Sequence, residues 1–395
     1  MKVPFKPSVL LLAGFLALTG FRDKQTSEDL RRAKVTLENI FKHYDAGYDN
    51  LLNENYPVKP GETVTYLAGA DSVKGTRVAY LWPYSGVFTA TVRLLESTGE
   101  RKYLRLLENK IIPGLGQYFD NSRKPDCYQS YITSAGPSDR YYDDNIWVAI
   151  DFCDLYGISH NPDHLDRAVT LWKFIISGWD EKLGGGIYWC EEKKQSKNTC
   201  SNAPSSVLAL KLFEATRDSD YFKWGLRIYN WTSDNLKDKD DHLYFDNINL
   251  AGKTDKRKYA YNSGQMLQAS VLLYKLTGDL NYIVEARLIA AASLDHFTTD
   301  FITVEGKRIR IFKGNDAWFT AVLMRGYAEL YHADSDDRYI GDYIDNLDNV
   351  WKHARDENGL FSKDWKGQKQ DKYKWLLDQA AFVEMEAGIH LLSRR

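Results

Sequence analysis

Tyr141-Tyr142-Asp143-Asp144-Asn145-Ile146-Trp147 opens an apolar run that continues to Tyr156. The run from Ile146 is apolar nearly all round, which marks a helix buried on every side. Its two aspartates stand at the helix N-terminus, where orphan N–H groups and the positive end of the dipole favour negative charge. An N-cap Asp followed by a second acid in the first turn would read the same way. The rest of the chain has to decide between capping and chemistry.

Outward from this helix one pattern recurs. An apolar helix ends in a short polar turn, and a new helix follows. The turns are Ser97-Thr98-Gly99-Glu100 before Tyr103, Gly157-Ile158-Ser159-His160 before His164, and Arg217-Asp218-Ser219-Asp220 before Tyr221. Thr277-Gly278-Asp279 before Tyr282 and Asp334-Ser335-Asp336-Asp337 before Tyr339 complete the set. The markers at 103, 164, 221, 282 and 339 are spaced by 61, 57, 61 and 57 residues, a repeat of helix pairs.

The two helices of a pair differ in kind. Val87–Leu95, Ile146–Tyr156, Met266–Leu276 and Ala317–Tyr331 are apolar all round, whereas the helix after each turn has one apolar face, as His164–Trp179 shows. Each pair therefore supplies one inner and one outer helix. The last inner helix, Asp378–Leu392, has no outer partner after it, and the first outer helix, Thr26–Tyr44, has no inner partner before it. Thr26-x-x-Asp29 resembles a capping box at its start. Joining the two closes an all-α ring of six helical hairpins, an (α/α)6 barrel, as a single domain over residues 26–395. An open solenoid would need polar capping helices at its ends, and the apolar last helix argues against it.

Long connections run from outer to inner helix, so they share one rim with the inner N-termini. They contain strand-like pieces, Gly185–Trp189, His242–Phe245 and Gly359–Phe361, and Asp356-Glu357-Asn358-Gly359 reads as a turn. Loops over a rigid scaffold are where function is expected. On this rim Trp82, Tyr84, Tyr142, Trp189 and Tyr261 are candidates for stacking on sugars. Asn202, Asn262, Asp316 and Asp378 are candidates for hydrogen bonds to hydroxyls, although all four also suit helix caps.

Formal net charge is -2 and no basic run is dense enough to track phosphates, which argues against nucleic acid. The chain has 26 Tyr, 11 Trp and 17 Phe, a surplus that suits both core packing and carbohydrate stacking. Lys2 and Lys6 precede the apolar stretch Val9–Leu18, so residues 1–25 read as an export signal or flexible N-terminus, too short to span a membrane. Leu18-Thr19-Gly20 resembles the front of a lipoprotein signal, but Phe21 stands where its cysteine would be, so the protein is expected in the periplasm or cell envelope without a lipid anchor. No other stretch is long and apolar enough for a transmembrane segment. Export permits disulfides. Among Cys127, Cys153, Cys190 and Cys200, the pair Cys190–Cys200 brackets a polar loop and is the expected bridge, with Cys153 a core thiol. No cysteine spacing suits a structural metal, and a monomer without cofactor is expected.

Two carboxylates in an aromatic cleft suit glycoside hydrolysis, in which one donates a proton to the leaving oxygen and the other attacks the anomeric carbon or activates water. Neighbouring Cα atoms lie about 3.8 Å apart, which favours the roughly 5–5.5 Å carboxyl separation of a retaining pair over the wider inverting one. Tyr142-Asp143-Asp144-Asn145-x-Trp147 on such a barrel resembles glycoside hydrolase family 76, the retaining endo-acting α-1,6-mannanases and their relatives. The similarity includes Trp82-Pro83-Tyr84-Ser85-Gly86, Gly184–Trp189, Tyr259–Gln265 and Asp316-Ala317-Trp318, over about residues 27–392. The resemblance implies Asp143 as nucleophile, Asp144 as acid/base, α-mannan as substrate and a mannan-degrading bacterium of the Bacteroides type as source. A sugar epimerase on the same barrel would need histidine, and none of the eight His residues stands at an inner-helix head. A mannan-binding protein without turnover would keep the aromatics but not need both aspartates.

Overall fold

The fold follows from how each inner helix ends. In the computed structural model, which describes residues 10–59, 78–313 and 316–393 and the side chains of Ser27 to Leu392 within them, the residue after each of five inner helices sits in the left-handed region. These are Gly99, His160, Arg217, Gly278 and Ser335, each returning its N–H to the last helical turn. In three of the turns an Asn or Asp then caps the outer helix: Asn161, Asp218 and Asp279 accept from the N–H groups of Asp163, Asp220 and Asn281. The polar turns of the sequence are thus a C-cap run directly into an N-cap, which forces an antiparallel hairpin.

In chain order the helices are α1 (Leu10–Tyr44), α2 (Leu81–Thr98), α3 (Arg101–Leu106), α4 (Ile112–Leu115), α5 (Tyr142–Ser159), α6 (Pro162–Ser177) and α7 (Thr199–Thr216). They continue with α8 (Ser219–Leu236), α9 (Ala260–Thr277), α10 (Leu280–Phe297), α11 (Ala317–Asp334), α12 (Arg338–His353) and α13 (Leu376–Ser393). Among the described residues α2, α5, α7, α9, α11 and α13 form the inner ring. Each has 18 residues, about 27 Å of helix. α13 packs against α2 and against α1, so the ring closes with first and last helices paired, an (α/α)6 barrel as expected. One outer position departs from a simple helix, because α3 and α4 are joined through a π-helical turn at Leu107–Ile111.

Short strands lie in the rim connections: β1 (Asn55–Tyr56), β2 (Phe119–Asp120), β3 (Cys127–Tyr128), β4 (Ser196–Asn198), β5 (Phe245–Asn249), β6 (Thr254–Lys258), β7 (Thr298–Ile302), β8 (Arg308–Phe312) and β9 (Lys374–Trp375). β4, β5 and β6 form one antiparallel sheet, and β7 pairs with β8. Neither hairpin was expected: Thr254-Asp-Lys-Arg-Lys and Thr298-Thr-Asp carry no apolar alternation, although Arg308-Ile-Arg-Ile-Phe in β8 does. Of the expected pieces only Phe245 opens a strand; Ile187, Tyr188, Tyr244 and Phe361 make isolated bridges.

The loops are tied down by a device repeated at the fourth residue of the inner helices. The Asn145 amide accepts from the Tyr128 N–H and donates to the Tyr128 carbonyl. Asn202 does the same to Ile187, and Gln379 to Phe361. Ser263 accepts from the Tyr244 N–H. Each pins a buried strand-like backbone whose polar groups need partners. Asn202→Ala leaves both Ile187 groups unpaired, and we expect it to cost about 1–3 kcal/mol in urea unfolding.

Several expectations are corrected. α1 runs on from Leu10 through Thr26, so Thr26 does not cap it. The signal expected over residues 1–25 lies partly outside the described residues, at 1–9. Cys190 and Cys200 are free and buried, as are Cys127 and Cys153; Cys190 sits on the bridge to Tyr141 while Cys200 is in the first turn of α7 facing the barrel mouth. Among the described residues no helix is long and apolar enough to cross a membrane.

Candidate active site

The N-terminal ends of the inner helices surround a cavity of about 540 Å³. α5 supplies Asp143, Asp144 and Trp147; the loop before α7 supplies Trp189; α2 and α11 supply Trp82 and Trp318. The fourth side is the β4–β5–β6 sheet with Asp246, Asn247 and Arg257, continued by Tyr259 and Tyr261 at the head of α9. The helix dipoles point their positive ends at this space.

The two aspartates have unequal surroundings. Asp143 accepts a hydrogen bond from Trp189 Nε1 at 2.9 Å and another from the Asp144 N–H at 3.1 Å. Cys200 lines the same cavity wall. Burial raises the Asp143 pKa to about 6, and hydrogen bonds to the carboxylate, that of Trp189 foremost, oppose the rise. Asp144 has no such donors. Burial, and then the Asp143 charge, push it well above the ordinary carboxylate range. One acid is held ionisable and its neighbour is held protonated, a division of labour between acid and base.

The floor of the cavity is aromatic and braced from below. Trp147 meets Trp318 edge to face at 4.9 Å, and Trp318 meets Trp82 at 5.3 Å. The Arg325 guanidinium lies 5.7 Å from the Trp147 ring and grips Glu384 with Nε at 2.5 Å and Nη2 at 3.0 Å.

The expected binding residues divide. Trp82, Trp189 and Tyr261 line the cavity. Trp189 also holds Asp143, and Tyr261 is stacked on Phe319 at 4.1 Å, so neither is a free stacking platform. Tyr84 is core: its hydroxyl donates to the Asn50 and Ile111 carbonyls. Tyr142 is core as well, stacked on Phe174 at 4.7 Å. Asn202 is consumed by its loop clamp, and Asn262 is buried beside Asp246 outside the lining. Asp316 caps α11 through the Trp318 and Phe319 N–H groups. Asp378 is buried beside it with Lys363 Nζ at 4.0 Å; neither acid lines the cavity. On a helix head, successive residues point in different directions, so adjacency to the rim does not tell which faces inward.

Lining residues that were not foreseen include Asp246, Asn247, Arg257, Cys200 and Trp318. The first three ride on the unexpected hairpin. Asp246 accepts from Asn247 Nδ2 at 2.9 Å and lies 3.6 Å from Arg257 Nη2. Among the described residues no histidine lines the cavity. One cluster has metal-ligand types in reach, Asp139, Cys190 and Glu192, but Lys193 occupies Asp139 at 2.8 Å and Arg123 occupies Glu192 at 2.8 Å. A metal there would have to displace two bound cations.

A closed helical barrel whose mouth holds two acids of split basicity among tryptophans is built as carbohydrate-active barrels are. The chain belongs to glycosyl hydrolase family 76, whose sequence profile matches residues 31–392. It is similar to a family 76 mannosidase of Bacteroides thetaiotaomicron at 30% identity, covering 93% of this chain and 99% of that one with a TM-score of 0.83. A mannan endo-1,6-alpha-mannosidase of Candida glabrata is 32% identical over 127 residues, 30% of this chain and 28% of that protein. The matched stretches span less than half the length of the curated relatives. The same fold occurs, at 20% identity and a TM-score of 0.72 over 92% of this chain and 99% of that one, in an α-1,6-mannanase of Salegentibacter. That structure is of an inactive variant, with two adjacent aspartates replaced by asparagine, in complex with α-1,6-mannotriose.

Proposed function

We propose that this protein is an endo-acting, retaining glycoside hydrolase that cleaves α-1,6-mannosidic bonds in α-mannan. The observation that carries the reading is the unequal pair: Asp143 accepts from Trp189 Nε1 and the Asp144 N–H, whereas burial and the Asp143 charge push Asp144 well up. In the first step an Asp143 carboxylate oxygen attacks the anomeric carbon while the Asp144 proton passes to the leaving glycosidic oxygen. The shortened chain departs and a glycosyl ester remains on Asp143. Asp144, now ionised, takes a proton from water as that water attacks the same carbon, the ester breaks and Asp144 is protonated again.

The rest of the cavity supplies binding. Trp82 and Trp318 offer apolar surface to a pyranose ring, and Asp246, oriented by Asn247 and Arg257, accepts from sugar hydroxyls. The names of the relatives from Candida and Salegentibacter support the linkage, and the adjacent aspartates replaced in the latter support the pair. Lys2 and Lys6 before the apolar stretch Val9–Leu18 support export to the cell envelope.

The deciding measurement is product analysis on unbranched α-1,6-mannan beside α-1,2- and α-1,3-linked mannans, with the first-formed anomer followed by NMR. Early release of a range of oligosaccharides with retained configuration, from the α-1,6 substrate alone, is the expected result. Inverted configuration would remove the nucleophile role of Asp143.

The pair also sets a pH profile. Activity requires Asp143 ionised and Asp144 protonated. Rate should fall on the acid side as Asp143 takes up its proton near pH 6, and fall on the alkaline side as Asp144 loses its own. The kcat/KM profile should therefore be a bell, with limbs that belong to the pair. A profile flat from pH 5 to 8 would contradict the split.

A further inference from the structure

Lys197 lies in β4 between Ser196 and Asn198, which line the cavity. Alternation along the strand turns it to the opposite face, away from the substrate space, and it is fully buried. Its ammonium meets four oxygens of one loop: Asp180 Oδ1 at 2.7 Å, the Asp180 carbonyl at 3.0 Å, the Lys182 carbonyl at 2.7 Å and the Gly185 carbonyl. An ammonium carries three donors and no acceptor, so it suits a cage made only of oxygens. Asp180 supplies the opposite charge that a buried cation needs. The Tyr188 hydroxyl donates to the other Asp180 oxygen at 2.8 Å, and the Tyr188 ring stands 4.9 Å from the ammonium. The loop comes this close by way of Gly185, whose φ is +136°; a Cβ there would lie 2.4 Å from the Trp179 ring.

The cage sits directly behind the group that holds the nucleophile. Tyr188 bridges to Lys197, and the next residue, Trp189, donates its N–H to the Ser196 carbonyl at 3.3 Å. The Trp189 carbonyl accepts from the Tyr142 N–H at 2.9 Å, and its indole Nε1 reaches Asp143 at 2.9 Å. One short run of chain therefore has the ammonium cage at its start and the hydrogen bond to Asp143 at its end. The Asn202 clamp on Ile187 fixes this run at one point. The cage is a second point, which stops the run from pivoting about the first.

We infer that Lys197 is a positioning residue for the nucleophile: by gathering the loop from Asp180 to Gly185 around its ammonium, it fixes where Trp189 presents its N–H to Asp143. The inference rests on the proposed glycosidase reading of the site and deepens it. Lys197 does not line the cavity, so its effect on the reaction passes through Trp189.

The test compares three variants. Lys197→Met keeps much of the side-chain length without donors, Trp189→Phe keeps an aromatic ring without the N–H, and the third carries both changes. On α-1,6-mannan kcat should fall about tenfold in each single variant, as for a lost or misaimed hydrogen bond to a charged group. The KM of Lys197→Met should stay within about twofold of wild type. The double variant should be no slower than Trp189→Phe, because a residue that acts through the indole then has nothing to act on. Additive losses, or wild-type kcat in Lys197→Met, overturn the inference. NMR of the tryptophan indoles gives a readout without turnover. The Trp189 Nε1–H resonance, assigned by its loss in Trp189→Phe, should move in Lys197→Met toward its position in Asp143→Asn and exchange faster with solvent. An unmoved resonance overturns the inference as well. Asp180→Asn, which keeps the lysine and removes only its charged partner, takes the place of Lys197→Met in every measurement where that variant does not fold. A protein whose indole resonance responds to Lys197→Met but whose wild type hydrolyses no mannan upholds the positioning contact and overturns the reading of the site.

Discussion

Asp143→Asn and Asp144→Asn should each abolish turnover of α-1,6-mannan while oligosaccharides still bind. An amide at position 143 cannot form the glycosyl ester, so no path remains through the first step. Loss of the proton donor in Asp144→Asn removes a contribution of roughly 10²–10⁴-fold for a general acid. Binding should survive because Trp82, Trp318 and Asp246 are untouched. The two variants can be told apart with an aryl mannoside whose leaving group needs no protonation. Asp144→Asn should regain the first step on that substrate and accumulate the glycosyl-enzyme, because the second step lacks its base. Asp143→Asn should stay inert. Calorimetric titration with mannooligosaccharides and a burst assay on the aryl substrate check both halves. Near-normal turnover by either variant would remove the assignment.

Arg325→Met should be the most damaging change to stability. Arg325 and Glu384 are both buried, and their bidentate contact joins α11 to α13 inside the ring. Removing one partner leaves an uncompensated buried carboxylate, at a cost of about 3–5 kcal/mol. That is a large share of the roughly 5–15 kcal/mol that holds a typical domain folded. The neighbouring Asp151 already has its pKa raised to about 8 by burial, opposed first by the Arg325 charge. Its folded value lies above its unfolded one, so folding takes up a proton and stability falls as pH rises through the window from about 4 to 8. Without Arg325 that window should extend further upward. Urea denaturation of wild type and Arg325→Met at pH 5 and pH 8 should show a lower midpoint for the variant at both, with the larger deficit at pH 8. A double variant, Arg325→Met with Glu384→Leu, should recover much of the loss, because two apolar side chains replace a stranded charge. Activity of the double variant reads the separate role of Arg325 beneath Trp147.

The helical ring was legible because its information is periodic and local. An all-round apolar helix can only be inside, a one-faced helix can only be on a surface, and a polar turn between them fixes their antiparallel pairing. Spacing alone then numbered the pairs, and the unpaired first and last helices implied closure. The position of Asp143 and Asp144 at the cavity was legible for a similar reason, since both stand at the head of a buried helix that opens on the rim. The rim strands were not. Thr254–Lys258 is charged along most of its length and forms a strand because β5 offers it a hydrogen-bonding edge, which is a property of two segments together.

What the sequence determined by itself was the closed barrel and the placing of Asp143 and Asp144 at its mouth, set by the order and period of apolar residues. What only the tertiary structure decided was which rim side chains face the cavity and how the two acids differ. Tyr84, Tyr142 and Asn202 occupy helix heads like Trp82 and Tyr261 but turn into packing or clamp a loop. Asp143 and Asp144 are chemically identical neighbours. What sets them apart is Trp189, brought from 46 residues away to hydrogen-bond Asp143, while burial and the Asp143 charge push Asp144 up. A pKa responds to the dielectric and the donors within a few ångströms, and those neighbours are assembled by the closing of the ring.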